Sequence, residues 1–292
     1  MTTANDAREP AAPTGDGGLV RLRLDLSYDG TDFSGWARQP DRRTVAEVVE
    51  AALATVLQLE PPLLLTVAGR TDAGVHALGQ VAHIDVPIAP GHLSIDVETV
   101  RRRLAGLLPD DVVLRGLTIA PDGFDARFAA IGRRYAYRVT DVEPNPLRRR
   151  DTLAWPRPLD VDAMNQAAKD LLGEHDFAAY CRPRAGATTI RILHELDAAR
   201  DADEVIVLSA AADAFCHNQV RSMVGALLAV GDGRRPTGWP GDLLRAGVRD
   251  SAVNVAPACG LTLVAVDYPP DGELAARVAR TRQRRTLPDR SP

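Results

Sequence analysis

The stretch from Leu63 to Val86, LLLTVAGRTDAGVHALGQVAHIDV, divides into two apolar runs on either side of a polar, glycine-marked centre. Leu63 to Ala68 and Gly79 to Val86 have the length and composition of strands, and turn residues bound them. The centre, Gly69-Arg70-Thr71-Asp72-Ala73-Gly74-Val75-His76, then falls in a loop or at a strand end, where a rigid sheet can aim a side chain at a ligand. A sheet that carries a chemistry-bearing loop is the starting expectation.

Working outward, Leu19 to Tyr28 alternates apolar and polar residues and is closed by Asp29-Gly30, which predicts a strand. Thr44 to Leu59 places Val45, Val48, Val49, Ala52, Leu53, Val56 and Leu57 at steps of three and four, which predicts a helix, with Thr44 and Glu47 as a capping box. A helix over Val97–Leu108 and a strand over Val112–Ile119 complete a first half. The second half reads as a strand over Arg133–Thr140, a helix over Val161–Leu172 capped by Gly173, and strands over Arg191–Arg200 and Glu204–Ala210. A helix over Asn218–Val230 closed by Gly231, a short helix over Asp242–Val248 and a strand over Leu261–Asp267 follow. The repeated order βαββαβ suggests an α+β protein of two similar halves whose sheets join. Residues 1–18 are expected to be a disordered leader, 19–118 the half carrying Asp72, 119–270 the half carrying Tyr135 and Arg221, and 271–292 a polar, arginine-rich tail.

Composition limits the function classes. The 292 residues, 45% hydrophobic and 25% charged, predict a packed core in one large or two ordinary domains. The N-terminus lacks a basic start and an apolar run, and no segment approaches a membrane span, so a soluble cytoplasmic protein is expected. Cys181, Cys216 and Cys259 are far apart and odd in number, which fits a reducing compartment better than a disulfide framework. The net charge of −4 hides an uneven distribution, because eight arginines between Arg127 and Arg157 face only Asp141, Glu143 and Asp151. Screening limits charge to about 8–10 Å of reach, so such a face can track phosphates on an acidic protein. All basic residues except Lys169 are arginine, a preference that a GC-rich genome would also produce.

Several residues could carry chemistry. Arg70 lies two residues before Asp72, so an extended backbone would turn both side chains to one face and hold an oriented carboxylate, as covalent catalysis at an electrophilic carbon requires. The same spacing fits a structural Arg–Asp pair. Tyr135, after Arg133-Arg134 on a strand that alternates cationic with aromatic and aliphatic residues, suits a stacked base; it also suits a core tyrosine between exposed arginines. Arg221 sits on a mostly apolar helix and needs a partner such as Asp72, unless it snorkels from the helix end. The six histidines show no HExxH or paired Cys–His spacing, and neither a P-loop nor GxGxxG is present.

At this point the chain resembles the TruA-type tRNA pseudouridine synthases. The blocks that carry the resemblance are Tyr28-Asp29-Gly30 with Gly35-Trp36, Ala68 to Ala77, Gly79-Gln80-Val81, Phe124 to Phe128, Arg134 to Tyr137, Leu171 to Phe177, Gln219 to Gly225, and Gly260 to Pro269. They run in order over residues 20 to 270. The resemblance implies two α+β halves forming one continuous, mainly antiparallel sheet, with helices on one side and a basic cleft on the other. It further implies isomerisation of uridines just 3′ of the anticodon in tRNA, by a homodimer without cofactor or metal. Carried over, Asp72 would be the nucleophile and Arg221 its partner. Tyr135 would stack on the base and assist late proton removal, and Leu261 would pack beneath it. Arg70 would fill the space left by the flipped nucleotide, with Arg134 beside the substrate. Ser222 departs from the asparagine common at its position. An RNA-binding protein that remodels tRNA without modifying it, and a hydrolase that releases uracil, are the competing classes.

Overall fold

The computed structural model describes residues 18–88, 95–182, 188–249 and 251–281, so residues 1–17 of the expected leader and 282–292 of the expected tail lie outside the described residues. The first half comprises β1 (Leu19–Tyr28), α1 (Val45–Leu57), β2 (Thr66–Val67), β3 (His76–Pro87), α2 (Val97–Leu107) and β4 (Val112–Ile119). The second comprises β5 (Gly132–Thr140), β6 (Leu153–Ala154), α3 (Val161–Ala168), β7 (Gly173–Asp176), β8 (Ile190–Arg200), β9 (Ile206–Ala212), α4 (Gln219–Gly231), α5 (Trp239–Ala246) and β10 (Leu261–Asp267). A last helix, α6, spans Leu274–Thr281. None of the described helices is long and apolar enough to cross a membrane.

All ten strands join one sheet, ordered β4-β1-β3-β10-β5-β9-β8-β7, with β2 on β3 and β6 on β5. The repeat legible in the element order reappears in the pairing. The first half runs β4-β1-β3-β2 and the second β10-β5-β9-β8, so the first strand of each half lies between its last and its next-to-last. The halves join where β10 lies between β3, which it meets in parallel at Thr262–His76 and Leu263–Ala77, and β5, which it meets antiparallel. On β1, Leu22, Leu24 and Leu26 are fully buried against α1 and α2, while Arg21, Arg23 and Asp25 alternate to the other face. On β5, Tyr137 and Val139 are buried with α3, α4 and α5, and Tyr135 touches both cores. Fully burying each such leucine contributes about 1.5–3 kcal/mol.

Local chemistry explains where the elements depart from expectation. Thr44 precedes α1 but its hydroxyl caps nothing; the amides of Val45 and Ala46 donate instead to the carbonyls of Gly35 and Trp36. The strand predicted over Leu63–Ala68 shrinks to Thr66–Val67, because the Leu65 amide donates to the buried Glu50 carboxylate of α1. Gly173 opens β7 instead of capping a helix, and Gly231 is the last helical residue of α4, held against Met164 and Leu159. The expected tail is folded through Thr281: Leu274 is buried with Phe124 and Val81 on the face opposite α1. Cys181 and Cys216 form a disulfide with a Cα–Cα distance of 5.8 Å, against the expectation of free thiols. Their separation in sequence disappears once α4 packs on the turn Ala178–Tyr180 that precedes Cys181.

Two predictions follow from this packing. A Cβ at Gly79 would overlap the Val264 carbonyl at the β3–β10 seam, whereas one at Gly106 in α2 meets open space. Gly79→Ala should therefore cost roughly 1–3 kcal/mol in urea unfolding, while Gly106→Ala should be neutral or stabilising by about 0.5–1 kcal/mol; the opposite ranking would refute the seam's tightness. Burial raises the pKa of all five tyrosines, Tyr28 to about 12 and Tyr135, Tyr137, Tyr180 and Tyr268 further. The folded phenols stay neutral while unfolded ones ionise near about pH 10, so this contribution to stability is complete below that pH and falls as pH rises towards the folded values. Ultraviolet difference titration should show no phenolate in the folded protein at pH 10, where the urea midpoint starts to drop.

Candidate active site

The Asp72 loop is held by the first half. Tyr28 Oη lies 2.8 Å from Thr71 Oγ1, and Gln80 donates both to Tyr28 Oη at 3.2 Å and to the Gly69 carbonyl at 2.8 Å. Trp36 and Gly74 donate their amides to the carbonyls of Thr71 and Phe33. Gly35, at φ 95°, lies under the loop so closely that a Cβ there would stand 2.9 Å from the Thr71 carbonyl, a place for glycine on both counts. The loop exit is fixed by His76, whose Nδ1 accepts from the Gly30 amide and whose Nε2 lies 2.8 Å from the Arg150 carbonyl and 3.0 Å from that of Cys259.

The second half supplies the partners of Asp72. Arg221, in the first turn of α4, places Nη1 3.5 Å from Asp72 Oδ2 and donates Nε to the Ala256 carbonyl at 2.6 Å. The residue before Asn218 contributes as well: His217 Nε2 lies 3.4 Å from Asp72 Oδ1. Each carboxylate oxygen thus faces a different nitrogen donor, and about a third of the Asp72 side chain remains exposed.

Tyr135 and Leu261 project from the same face of the sheet, Leu261 being the buried first residue of β10 opposite Tyr137, and Leu263 lying opposite Tyr135. Phe215 meets Tyr135 edge-on, with ring centroids 5.3 Å apart. Burial, together with the nearby Tyr28 and Asp72, holds the Tyr135 phenol well above its ordinary range. Arg70 is exposed on the loop beside Asp72. Arg134 is not brought to this side: as the strand neighbour of Tyr135 it points to the opposite face, where it pairs with Asp267 at 3.1 Å.

Three contributors escaped the sequence reading. His217 and Phe215 had no distinguishing spacing, although they lie four and six residues before Arg221. Arg133, taken for part of a cationic face, is buried and donates to the carbonyls of Asp213, Ala68 and Arg127 at 2.8–2.9 Å. The expected arginine cluster is also less free than its count implied. Arg138 pairs with Asp201, Arg148 with Asp151, Arg150 with Asp29 and Asp32, and Arg157 with Asp232. Most of these carboxylates come from outside the arginine-rich segment, so counting charge along that segment overstated its excess.

A carboxylate flanked by a nitrogen at each oxygen and still partly exposed can act on an electrophilic carbon. Comparisons with known proteins give the family. The family model for tRNA pseudouridine synthase matches residues 26–129 and 167–269. The tRNA pseudouridine synthase A of Frankia casuarinae is 61% identical over 273 residues, covering 93% of this chain and 97% of that one. Those of Streptomyces avermitilis and Mycobacterium leprae are 60% and 50% identical, covering 93% and 91% of this chain and 96% of each relative. Both halves of the sheet, and nearly the whole length of these relatives, are included, and the chain belongs to the tRNA pseudouridine synthase family.

Proposed function

We propose that this chain isomerises uridine to pseudouridine in the anticodon stem-loop of tRNA, just 3′ of the anticodon, with Asp72 as nucleophile. The observation that carries the assignment is the convergence of Asp72, from the first half, with Arg221, from the second, beside Tyr135 and Leu261. In the reaction the N-glycosidic bond breaks, the uracil turns, and C5 bonds to C1′. The C5 proton leaves and N1 gains one, so the atoms balance without redox or phosphate energy. Asp72 attacks C1′, adds to the pyrimidine ring, or abstracts a ribose proton; its geometry is compatible with each.

The other roles follow from placement. Tyr135 is a stacking platform, worth on the order of 1–3 kcal/mol per base, and Leu261 packs beneath the base. Because the Tyr135 phenol stays neutral, its help in proton removal is a relay through its hydroxyl, not uptake by a phenolate. Arg70, exposed on the loop, fills the space that the flipped nucleotide leaves. Exposed ion pairs are worth only about 0–1 kcal/mol, so phosphates displace the carboxylates from Arg148 and Arg150 at little cost. Arg134, paired with Asp267 on the far face, meets tRNA at its phosphates and not at the base. The two halves, 19–118 and 119–270, act as lobes of one cleft in a cytoplasmic homodimer that needs no cofactor.

Asp72→Asn should abolish pseudouridine formation on an anticodon stem-loop transcript while tRNA binding stays within about tenfold. Turnover by that variant would overturn Asp72 as the nucleophile, tRNA binding by the wild type without any pseudouridine formation would indicate an RNA-remodelling protein, and release of free uracil by the wild type would indicate a hydrolase. Tyr135→Phe should bind the transcript normally and turn it over more slowly; an unchanged rate would reduce Tyr135 to stacking alone.

A further inference from the structure

Arg221 accounts for one oxygen of Asp72. The other faces His217, and the backbone around His217 is unusually constrained for a residue outside a helix or strand. The Cys216–Cys181 disulfide anchors the residue before it, and the Arg182 amide donates to the His217 carbonyl at 3.0 Å. The Cys216 amide donates to Gln219 Oε1 at 2.9 Å, while Asn218 adopts a left-handed conformation, φ 66°, that turns the chain into α4. Phe215, one residue further back, is lodged against Tyr135. Every neighbour of His217 along the chain is therefore tied to the scaffold, yet its own side chain is 42% exposed and reaches only towards Asp72 among the ion pairs of the described residues.

We infer that His217 is a positioning residue for Asp72: with Arg221 it forms a two-point clamp, one nitrogen donor to each carboxylate oxygen, that fixes the carboxylate plane for attack. The inference rests on Asp72 being the nucleophile. A single contact from Arg221 at 3.5 Å leaves the carboxylate free to rotate about its Cβ–Cγ bond. A second nitrogen 3.4 Å from the other oxygen opposes that rotation. Arg221 lies in the first turn of α4 and His217 two residues before that helix, where the disulfide at Cys216 and the Arg182 amide hold its backbone. Misplacing a reacting group by about 1 Å can cost on the order of a hundredfold in rate.

The test is single-turnover pseudouridine formation on an anticodon stem-loop transcript, with transcript affinity measured by filter binding. The enzymes are wild type, Asp72→Asn, His217→Ala and His217→Gln. His217→Ala should slow the single-turnover rate about 10- to 100-fold and leave affinity within about threefold. His217→Gln, whose amide N–H can reach the position of Nε2, should recover the rate to within about threefold of wild type. A wild-type rate in His217→Ala beside an inactive Asp72→Asn would overturn the clamp and leave the nucleophile assignment standing. Equal losses in the Ala and Gln variants, or a rate loss matched by a loss of affinity, would overturn it in favour of a structural or RNA-contact role. An inactive wild type, or an active Asp72→Asn, would remove the underlying functional reading instead.

Discussion

One buried guanidinium registers the two segments from which the site is made. Arg133 on β5 donates to the carbonyls of Ala68, which leads into the Asp72 loop, and Asp213, which leads through Phe215 and His217 into α4. It also holds the Arg127 carbonyl. Burial pushes its pKa down, but an arginine keeps its charge across any working pH. Charge-assisted hydrogen bonds to three carbonyls offset a desolvation cost of several kcal/mol. Truncating Arg133 would strand those carbonyls, each an expensive group to bury unpaired. Tyr135 stands two residues along the same strand, so the loop with the carboxylate, the segment that leads to its partners and the Tyr135 ring are all positioned relative to β5.

The seam between the halves explains why the site lies where it does. Asp72 and Arg221 belong to different halves, and neither half has a complete constellation. β10 joins them by pairing with β3 over two residues and with β5 over its length. Its first residue, Leu261, lies in the second core, and Leu263, two residues on, lies in the first. The short β3–β10 ladder leaves room for β2 on the upper part of β3, and the Asp72 loop springs from between β2 and β3 beside that junction. A site at such a junction depends on the seam as much as on its own side chains.

What the sequence made legible was whatever depends on local periodicity. Alternation placed β1 at its observed boundaries, and steps of three and four found α1, because burial of one face sets those patterns. The ordered blocks of the family resemblance pointed to Asp72, Tyr135, Arg221 and Leu261; in the structure Arg221 reaches Asp72, and Tyr135 and Leu261 lie on paired strands. Features decided by tertiary contact were not legible. Thr44 has the residue type of a cap, but the carbonyls of Gly35 and Trp36 reach the helix amides first. The amphipathic turn at Leu274 is too short for periodicity to reveal, and its burial depends on Phe124 far away in the chain. The disulfide, the buried role of Arg133 and the approach of His217 to Asp72 all arise from chain crossings that no spacing encodes.

The arginine excess thereby separates into two physically different populations. Arg133 is enclosed, satisfied by backbone carbonyls and unable to move without breaking the framework. Arg148 and Arg150 are exposed and paired with carboxylates that can return to water. An acidic protein can present a cationic surface to a polyanion by exchanging such pairs, since each exchange trades one weak, screened contact for a charge-assisted bond to phosphate. The Arg150 carbonyl is bonded to His76 at the exit of the Asp72 loop, so at least one exchangeable guanidinium is carried on backbone fixed to the site. Fixed and exchangeable arginines look identical in composition; only their partners, carbonyl or carboxylate, distinguish a locked side chain from an exchangeable one.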